Sequence, residues 1–279
     1  MLAVVAGNLI LCATPIGNLG DASARLQAEL AGADLIYAED TRRTAKLLAA
    51  LDVATEVRSY FIGNEEHRAR ELAGRLEAGA SIALVTDAGM PSIADPGLSA
   101  VQAALDVGAV VTVVPGPSAV TAALAVSGLP AERFVFEGFL PRKGADRRSR
   151  LAAIAREERT AVLFSAKNRI ARDLGDLVET LGVDRPVVVT RELTKVFEEV
   201  WRGTLGGAAD HWSAVEPRGE FTLVIGGAMP QPPDLDAAVA EANAAIGAGE
   251  SMKDAVRRIA SESGVGRRDL YEAVLLAQQ

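Results

Sequence analysis

The sequence has few of the residues that build disulfides and metal centres. Its 279 residues include one cysteine, Cys12, and two histidines, His67 and His211. A single cysteine excludes an internal disulfide, which is typical of proteins from a reducing compartment. The spacing of these three residues matches no zinc site, so we expect no bound metal.

Long apolar runs are also missing. Gly or Pro interrupts each candidate before it reaches the roughly 18 apolar residues that a membrane-spanning helix needs. The apolar stretch 1–14 lacks the basic residues that open a secretory signal, because the first Arg is Arg25. We therefore expect a soluble, cytoplasmic protein with no membrane partner.

The chain has no excess of basic charge. It carries 37 Asp and Glu against 29 Lys and Arg, for a net charge of −8. This balance argues against an indiscriminate polyanion binder. Any binding of nucleic acid would then depend on local basic patches.

Short apolar segments alternate with amphipathic ones along the chain. In the first half the strands are apolar on both faces and separated by helices, which is typical of a buried parallel sheet. The predicted strands are 8–13, 34–38, 81–86 and 109–114, then 133–137, 160–164, 186–190, 197–201 and 221–225. The predicted helices of the first half begin near Asp21, at Thr41 and after an N-cap at Asn64.

This pattern predicts an α/β fold with two α/β domains and a small helical tail. The expected boundaries are 1–130, 131–230 and 231–279. A Pro-rich linker from Pro230 to Pro233 separates the second domain from the tail.

Three loops rich in Gly and Pro, 14–20, 87–91 and 115–118, each follow a predicted strand. In an open parallel sheet such loops meet at the carboxyl edge, where ligands bind. They could be ordinary strand-to-helix turns, but three at one edge favour a ligand crevice. No strand is followed by a G-x-G-x-x-G or P-loop motif, so the pattern indicates a mononucleotide-like ligand rather than a dinucleotide.

Six motifs occur in order over nearly the whole chain: TPIGNLGD (14–21), AEDTRRT (38–44), LVTDAGMPSIADPG (84–97), VPGPSAVTAAL (114–124), FEGFLPRK (136–143) and RELTK (191–195). Together they resemble the tetrapyrrole-methylase superfamily and, within it, the ribosomal RNA small subunit methyltransferase I family of 16S rRNA cytidine 2′-O-methyltransferases. Two segments depart from that pattern. At 164–169 only the aromatic residue and the Arg of an aromatic-Glu-x-x-His-Arg motif remain, and Gly63 replaces the His of a His-Asn-Glu motif.

The resemblance implies that S-adenosylmethionine binds in a cleft between two domains, usually in a homodimer, and that 16S rRNA within the 30S subunit is the acceptor. The donor would be held by the three loops and two aromatic residues. The implied donor-binding residues are Pro15, Gly17, Asp87, Ala88, Gly89, Pro91, Gly116, Pro117, Ser118, Phe164 and Phe221.

The acceptor side needs a group that activates a ribose hydroxyl, since such a hydroxyl is poorly ionised near neutral pH. Glu39 and Asp40 end a predicted strand at the same edge, so either is a candidate base, with Arg42 orienting a phosphate. Asp40 could equally be a helix N-cap and Arg42 a solvated residue. Lys195 could hold a phosphate, stabilise a developing alkoxide, or be solvated.

Two basic patches are candidates for RNA binding, although either could be an ordinary solvated surface. The first is the joint 141–150. The second lies in the tail, where two helical runs broken at 263–266 have the spacing of a helix-turn-helix. The RNA-binding candidates are Arg142, Lys143, Arg147, Arg148, Arg267 and Arg268.

Two other functions stay open at this point. One is a methyltransferase that acts on a tetrapyrrole or another small acceptor, which the donor loops alone do not distinguish. The other is a nucleic-acid-binding regulator built around the C-terminal helix pair. That second reading leaves the cleft-forming α/β part of the chain without a role.

Overall fold

The computed structural model describes residues 6–229 and 234–277. Contacts divide the chain into two compact units, Met1–Ala228 and Met229–Gln279, and each is described by itself. The predicted linker from Pro230 to Pro233 lies outside the described residues. None of the helices in the described ranges is long and apolar enough for a membrane crossing.

The first sheet of the larger unit has five strands, all parallel, in the order β3-β2-β4-β1-β5. The strands are β1 (Asn8–Cys12), β2 (Leu35–Ala38), β3 (Val57–Ser59), β4 (Ser81–Val85) and β5 (Val110–Val114). Between and after them run α1 (Ala24–Gly32), α2 (Thr41–Ala50), α3 (Glu65–Glu77), α4 (Leu98–Asp106) and α5 (Ala119–Ser127). The sequence predicted four of these strands. It missed β3, because three half-buried residues carry no clear apolar pattern.

Two predicted helix starts need correction. Residues 19–21 form a single 3₁₀ turn, so α1 begins only at Ala24, where the Ser23 hydroxyl accepts a hydrogen bond from the Leu26 amide at 3.0 Å. Asn64 precedes α3 but its side chain does not cap the helix. Its amide oxygen instead accepts from the Phe61 amide at 2.8 Å and closes the preceding turn.

The second sheet also has five strands, in the order β6-β7-β10-β8-β9. Only β6 and β7 pair in parallel, and the other neighbours are antiparallel. The strands are β6 (Phe134–Phe139), β7 (Thr160–Ala166), β8 (Pro186–Arg191), β9 (Glu199–Thr204) and β10 (Glu220–Ile225), with helices α6 (Gly144–Arg156), α7 (Ile170–Leu181) and α8 (Leu205–Ser213).

The α5 helix connects the two sheets. Its Val120 and Leu124 pack with Val162 of β7, Val188 of β8 and Val224 of β10 in one buried cluster. Burial of apolar surface stabilises a fold by about 25 cal/mol per Å². This shared cluster therefore holds the two sheets together. The α/β fold class is confirmed. The boundary at 130/131 falls between α5 and β6 and stays a prediction, because contacts group both sheets into one unit.

The smaller unit contains three described helices, α9 (Leu235–Gly247), α10 (Met252–Ser263) and α11 (Arg267–Ala277). It has its own core, which includes Ala242, Ile259 and Leu270. Gly264 ends α10 in the left-handed conformation, with φ of 69°. The two helical runs predicted on either side of 263–266 are therefore α10 and α11.

Candidate active site

The three Gly- and Pro-rich loops meet at the carboxyl edge of the first sheet. Thr14 and Gly89 exchange two backbone hydrogen bonds, with N–O distances of 2.9 and 3.1 Å. A Cβ on Gly89 would lie 3.8 Å from the carbonyl oxygen of Pro117, and one on Gly116 would lie 2.9 Å from the Cβ of Ala13. At Gly116 this contact leaves no room for a side chain, and at Gly89 the φ of 81° favours glycine.

A cavity of about 370 Å³ opens beside these loops and is closed on the other side by the second sheet. The apolar part of its lining includes Ile16, Val120, Phe139, Phe164 and Leu193. The charged part of the lining has five carboxylates and two cations, namely Glu39, Asp87, Asp95, Glu192 and Glu220 with Arg43 and Lys195. A cavity of this size lies within the range of small-molecule sites, about 300–1,000 Å³.

Eight of the residues singled out in the sequence line this cavity: Glu39, Asp87, Ala88, Gly89, Ser118, Phe164, Lys195 and Phe221. Gly17, Pro91, Gly116 and Pro117 belong to the same loops but do not line the cavity. A Cβ on Gly17 would overlap the Lys195 side chain. Pro15 lines a neighbouring groove of about 170 Å³ that shares Arg43 and Asp87 with the cavity.

Asp40 and Arg42 are engaged with each other outside the cavity. Asp40 is the N-cap of α2, and its carboxylate accepts from the Arg42 amide at 2.8 Å and from the Arg42 guanidinium at 2.9 Å. Hydrogen bonds from Arg42 are the main cause that holds the pKa of Asp40 far below its usual range. These contacts favour the N-cap alternative for Asp40 over the role of a base.

Glu39 and Asp87 are joined across the ends of β2 and β4. Glu39 Oε2 accepts from the Asp87 amide at 3.3 Å, and Asp87 Oδ1 accepts from the Asp40 amide at 3.1 Å. Burial is the main cause that raises the pKa of Glu39. Arg43 forms an ion pair with Asp87 Oδ2 at 3.3 Å. Arg43 was not predicted from the sequence; it lies one residue beyond Arg42 and so projects from a different side of α2.

Asp95 was also missed, because its place within the motif at 84–97 carries no signal of its own. Burial in the cavity wall, followed by the like charges of Glu39, Asp87 and Glu220, raises the pKa of Asp95 to about 7. In the described ranges no group of three or more His, Cys, Asp or Glu side chains is arranged to hold a metal ion.

Lys195, in the segment after β8, contributes a positive charge to the cavity lining. Its ammonium group donates to Glu192 at 2.8 Å and to Glu220 at 2.9 Å. Burial alone would lower the pKa of Lys195, but these two hydrogen bonds outweigh it and raise the pKa. Lys195 is therefore not a freely solvated lysine.

Strained backbone is concentrated beside the cavity. Among the described residues five non-glycine residues have positive φ, and four of them, Ser92, Ala94, Glu192 and Thr194, belong to the two segments that line it. Each such residue costs of order 1–3 kcal/mol and persists where the surrounding structure imposes it, which is common at functional sites.

The cavity suits a cationic ligand with an aromatic part. Five carboxylates against two cations attract positive charge, and Phe139 and Phe164, with ring centroids 5.5 Å apart, offer an apolar surface. The hydroxyls of Ser92 and Thr194 are buried without a hydrogen-bond partner among the described residues. S-adenosylmethionine carries a sulfonium, an ammonium and an adenine ring, so the residues present fit this donor.

The two basic patches differ in what their side chains contact. Arg142, Lys143 and Arg148 are exposed. Arg147 is not: its guanidinium is buried and donates to Asp173 and Asp176 and to the Pro141 carbonyl. The prediction that Arg147 binds RNA is therefore wrong, because these carboxylates already neutralise its charge inside the protein. In the smaller unit Arg267 and Arg268 are exposed.

Comparison with known proteins agrees with this geometry. A family model for Tetrapyrrole (Corrin/Porphyrin) Methylases matches residues 8–209. Ribosomal RNA small subunit methyltransferase I of Mycobacterium tuberculosis (strain CDC 1551 / Oshkosh) is 48% identical over 276 residues, which cover 98% of this chain and 96% of that protein. The protein of the same name from Synechocystis sp. is 44% identical over 272 residues, covering 96% and 98%.

Solved structures share the fold at low sequence identity. A cobalt precorrin-4 methyltransferase aligns with a TM-score of 0.60 and 19% identity over 79% of this chain and 94% of its own. Uroporphyrin-III C-methyl transferase from Thermus thermophilus, complexed with S-adenosyl homocysteine, aligns with a TM-score of 0.55 and 22% identity over 79% and 97%. The chain therefore belongs to the tetrapyrrole methylase family and, within it, to the ribosomal RNA small subunit methyltransferase I family, and it is an S-adenosylmethionine-dependent methyltransferase.

Proposed function

We propose that this enzyme transfers a methyl group from S-adenosylmethionine to the ribose 2′-hydroxyl of a cytidine in the decoding region of 16S rRNA. The observation that carries the proposal is the single cavity in which the three donor loops meet Glu39 of the AEDTR segment and Lys195 of the RELTK segment. Relatives named for methylation of small-subunit rRNA, at 39–48% identity, support an RNA acceptor.

On the donor side the cavity residues hold a ligand whose reactive group is a methyl on a sulfonium sulfur. The backbone of Gly89 and Ser118 lies against the donor, and Phe164 and Phe221 contact its apolar part. Asp87 accepts hydrogen bonds from its hydroxyl or amine groups. Pro15, Gly17, Pro91, Gly116 and Pro117 keep the loops in shape, which lowers the entropy lost on binding.

On the acceptor side RNA enters through the groove that adjoins the cavity. Arg43 and Lys46 line this groove, and we assign them the phosphate contact first expected of Arg42, because Arg42 lines neither the groove nor the cavity. Phe197, two residues beyond Lys195, has 74% of its surface exposed, and an exposed aromatic ring can stack on an unpaired base. The Glu39 carboxylate accepts a hydrogen bond from the ribose hydroxyl. The Lys195 ammonium group balances the negative charge that develops on the ribose oxygen.

Contacts with the rest of the ribosomal RNA fall to the exposed basic residues. Arg142, Lys143 and Arg148 in the joint, and Arg267 and Arg268 in the tail, bind the phosphate backbone of 16S rRNA within the 30S subunit. Each phosphate neutralised makes the affinity more dependent on salt. This acceptor also implies that the enzyme works in the cytoplasm.

A homodimer is the proposed assembly. The edge strand β5 exposes Val110 and Val113, with 62% and 41% of their surfaces accessible. Leu98 and Leu105 of α4, the helix that packs beside β5, are 64% and 60% accessible. An apolar edge of this kind is suited to a two-fold contact with a second copy. Light scattering of the wild type and of Leu105→Asp tests this, with a monomer expected only for the variant.

The alternative of a small tetrapyrrole acceptor has less support. Enzymes named for tetrapyrrole methylation share the fold at 22% identity or less, whereas the relatives named for rRNA reach 48% over nearly the full chain. A nucleic-acid-binding regulator would leave the acidic cavity unexplained.

The test measures where methyl label from S-adenosylmethionine is retained. The purified protein is offered 30S subunits from cells lacking its gene, free 16S rRNA, and uroporphyrinogen III. We expect label in 30S subunits, and mass spectrometry should locate it on the ribose of one cytidine. Label in the tetrapyrrole and none in rRNA would refute the proposal.

A further inference from the structure

Two consecutive tight turns follow β8 and carry the RELTK segment past the cavity. In the first turn the Lys195 amide donates to the Glu192 carbonyl at 3.0 Å, and in the second the Glu198 amide donates to the Lys195 carbonyl at 3.1 Å. The Glu198 carboxylate also accepts from the Thr194 amide at 2.6 Å. Thr194 has φ of 66°, which is rare for a β-branched residue. These constraints hold the second turn, 195–198, in one conformation.

The corner of the 195–198 turn consists of two apolar residues that the fold does not bury. Val196 and Phe197 occupy its two central positions, where Gly, Asn, Asp and Ser are more usual. Val196 is 93% exposed and Phe197 is 74% exposed. Leu193 of the first turn, in contrast, is buried in the cluster that α5 shares with the second sheet. An adjacent apolar pair on a fixed, exposed corner is suited to contact with another molecule.

The turn lies at the rim of the cavity and beside the basic groove. Lys195, its first residue, lines the cavity, whereas the two corner residues lie outside the lining. Gly17 lies against the turn, because a Cβ there would overlap the Lys195 side chain. The loop that contains Gly17, 14–20, also contributes to the groove that holds Arg43 and Lys46. One loop thus connects the turn with the groove through which RNA is proposed to enter.

The size of the cavity leaves the base of the acceptor nucleotide outside. The volume of about 370 Å³ is near the lower end of the range for small-molecule sites, about 300–1,000 Å³. Once the donor is bound, the remaining space admits a ribose hydroxyl but not a second nucleoside. The acceptor base must therefore lie at the rim, separated from its neighbours in the RNA so that its ribose can approach Lys195.

We propose that Val196 and Phe197 form a wedge that enters the RNA base stack beside the acceptor nucleotide and holds this nucleotide unstacked, with its 2′-hydroxyl turned towards the cavity. The inference rests on the proposed function for the identity of the acceptor. Apolar side chains such as Phe, Leu and Ile separate stacked bases in this way in DNA-binding proteins. Stacking on a base that is already free would need Phe197 alone, whereas a wedge also uses the aliphatic Val196.

A second copy of the chain is a less suitable partner for this turn. A stable interface buries about 800 Å² on each partner and involves about 20–30 residues a side, far more than two side chains offer. The turn also leads directly from the cavity, where the methyl group is transferred. Its position therefore favours the acceptor RNA.

The experiment measures single-turnover methylation of 30S subunits from cells that lack the gene, with enzyme and donor in excess. Phe197→Ala should lower the rate by about 10-fold or more, because it removes the contact of an aromatic side chain with a base. Phe197→Leu should keep most of the rate, since Leu also separates stacked bases. Val196→Ser should lower the rate. The matched control Val183→Ser, at an exposed valine before β8, should match the wild type.

Three further measurements separate a wedge from other roles. Donor affinity by calorimetry, mass by light scattering and the midpoint of thermal unfolding should be the same in all variants, because the corner side chains are exposed. An unchanged rate in Phe197→Ala would overturn the proposal, and so would an equal loss in Phe197→Leu, which would indicate a flat stacking contact. Weaker donor binding would place the turn in the donor site, and a changed mass would make it an interface between copies; either result overturns the wedge. If wild type itself methylates no RNA, the proposed function fails instead.

Discussion

Arg147 donates to Asp173 at 2.8 Å inside the second half of the larger unit, where the two side chains are only 4% and 2% exposed. Asp173 also accepts from the Ser165 hydroxyl at 2.7 Å, and Ser165 lines the cavity. Arg147 reaches in addition the carbonyl of Pro141. The network therefore ties the FEGFLPRK segment to the cavity wall.

Replacing Arg147 by Met should destabilise the fold, because it leaves Asp173 buried without its main counter-charge. Losing one partner of a buried pair costs about 3–5 kcal/mol, which urea denaturation can measure. Arg148→Met is the matched control, since Arg148 is exposed, and it should unfold like the wild type. Equal stability of the two variants would contradict the buried role of Arg147.

Asp40→Ala should destabilise the protein without removing a catalytic group. Loss of an N-cap costs about 1 kcal/mol, and the pair with Arg42 is lost with it. Asp40→Asn keeps a side chain that can cap α2 and should restore most of the stability. Methyl transfer by Asp40→Asn should stay close to the wild-type rate, and a drop of about 100-fold or more would show that Asp40 takes part in the chemistry.

Asp95→Asn should become more stabilising as the pH rises. The pKa of Asp95 is raised in the folded state to about 7, so the folded chain binds more protons than the unfolded chain between about pH 4 and 7. Wild-type stability falls across this window, and the Asn variant lacks that fall. Above pH 7 the free energy of unfolding of Asp95→Asn should exceed that of the wild type by a constant amount, roughly 2 kcal/mol after solvent screening. Thermal unfolding at pH 4 and pH 8 measures this stability difference between the variant and the wild type. The same difference at both pH values would argue against the raised pKa of Asp95.

Gly89→Ala and Gly108→Ala form a matched pair. Both glycines have positive φ, 81° and 71°, so each alanine should cost about 1–2 kcal/mol of stability. Gly108 has nothing within 4 Å of an added Cβ, whereas Gly89 lines the cavity. Only Gly89→Ala should also weaken binding of S-adenosylmethionine. Calorimetry decides, and equal donor affinity in the two variants would remove Gly89 from the donor site.

Removing the chain from residue 229 onward should leave donor binding intact. The unit that follows Ala228 has its own core, and the cavity is built entirely from earlier residues. If Arg267 and Arg268 contact RNA, the shortened protein should bind 30S subunits more weakly, and the affinity should depend less on salt. Unchanged affinity would assign RNA binding to the larger unit alone.

The sequence by itself determined most of the secondary structure and the edge at which the site lies. Buried parallel strands appear in the sequence as continuous apolar runs, and turns that need Gly or Pro are marked by those residues. Nine strands and three ligand loops could therefore be predicted from the sequence. The motifs likewise identified the family. All of these signals are local, or depend only on order along the chain.

Tertiary structure decided which charged side chains reach the cavity. Arg42 and Arg43 are adjacent in sequence, yet only Arg43 lines it, because neighbouring helical residues project in different directions. Arg147 sits in a basic run but is buried against Asp173 and Asp176. Burial, followed by carboxylates that lie 8 to 125 positions away along the chain, raises the pKa of Asp95. Burial and long-range charge set the ionisation of a side chain, and neither is encoded in its immediate neighbours.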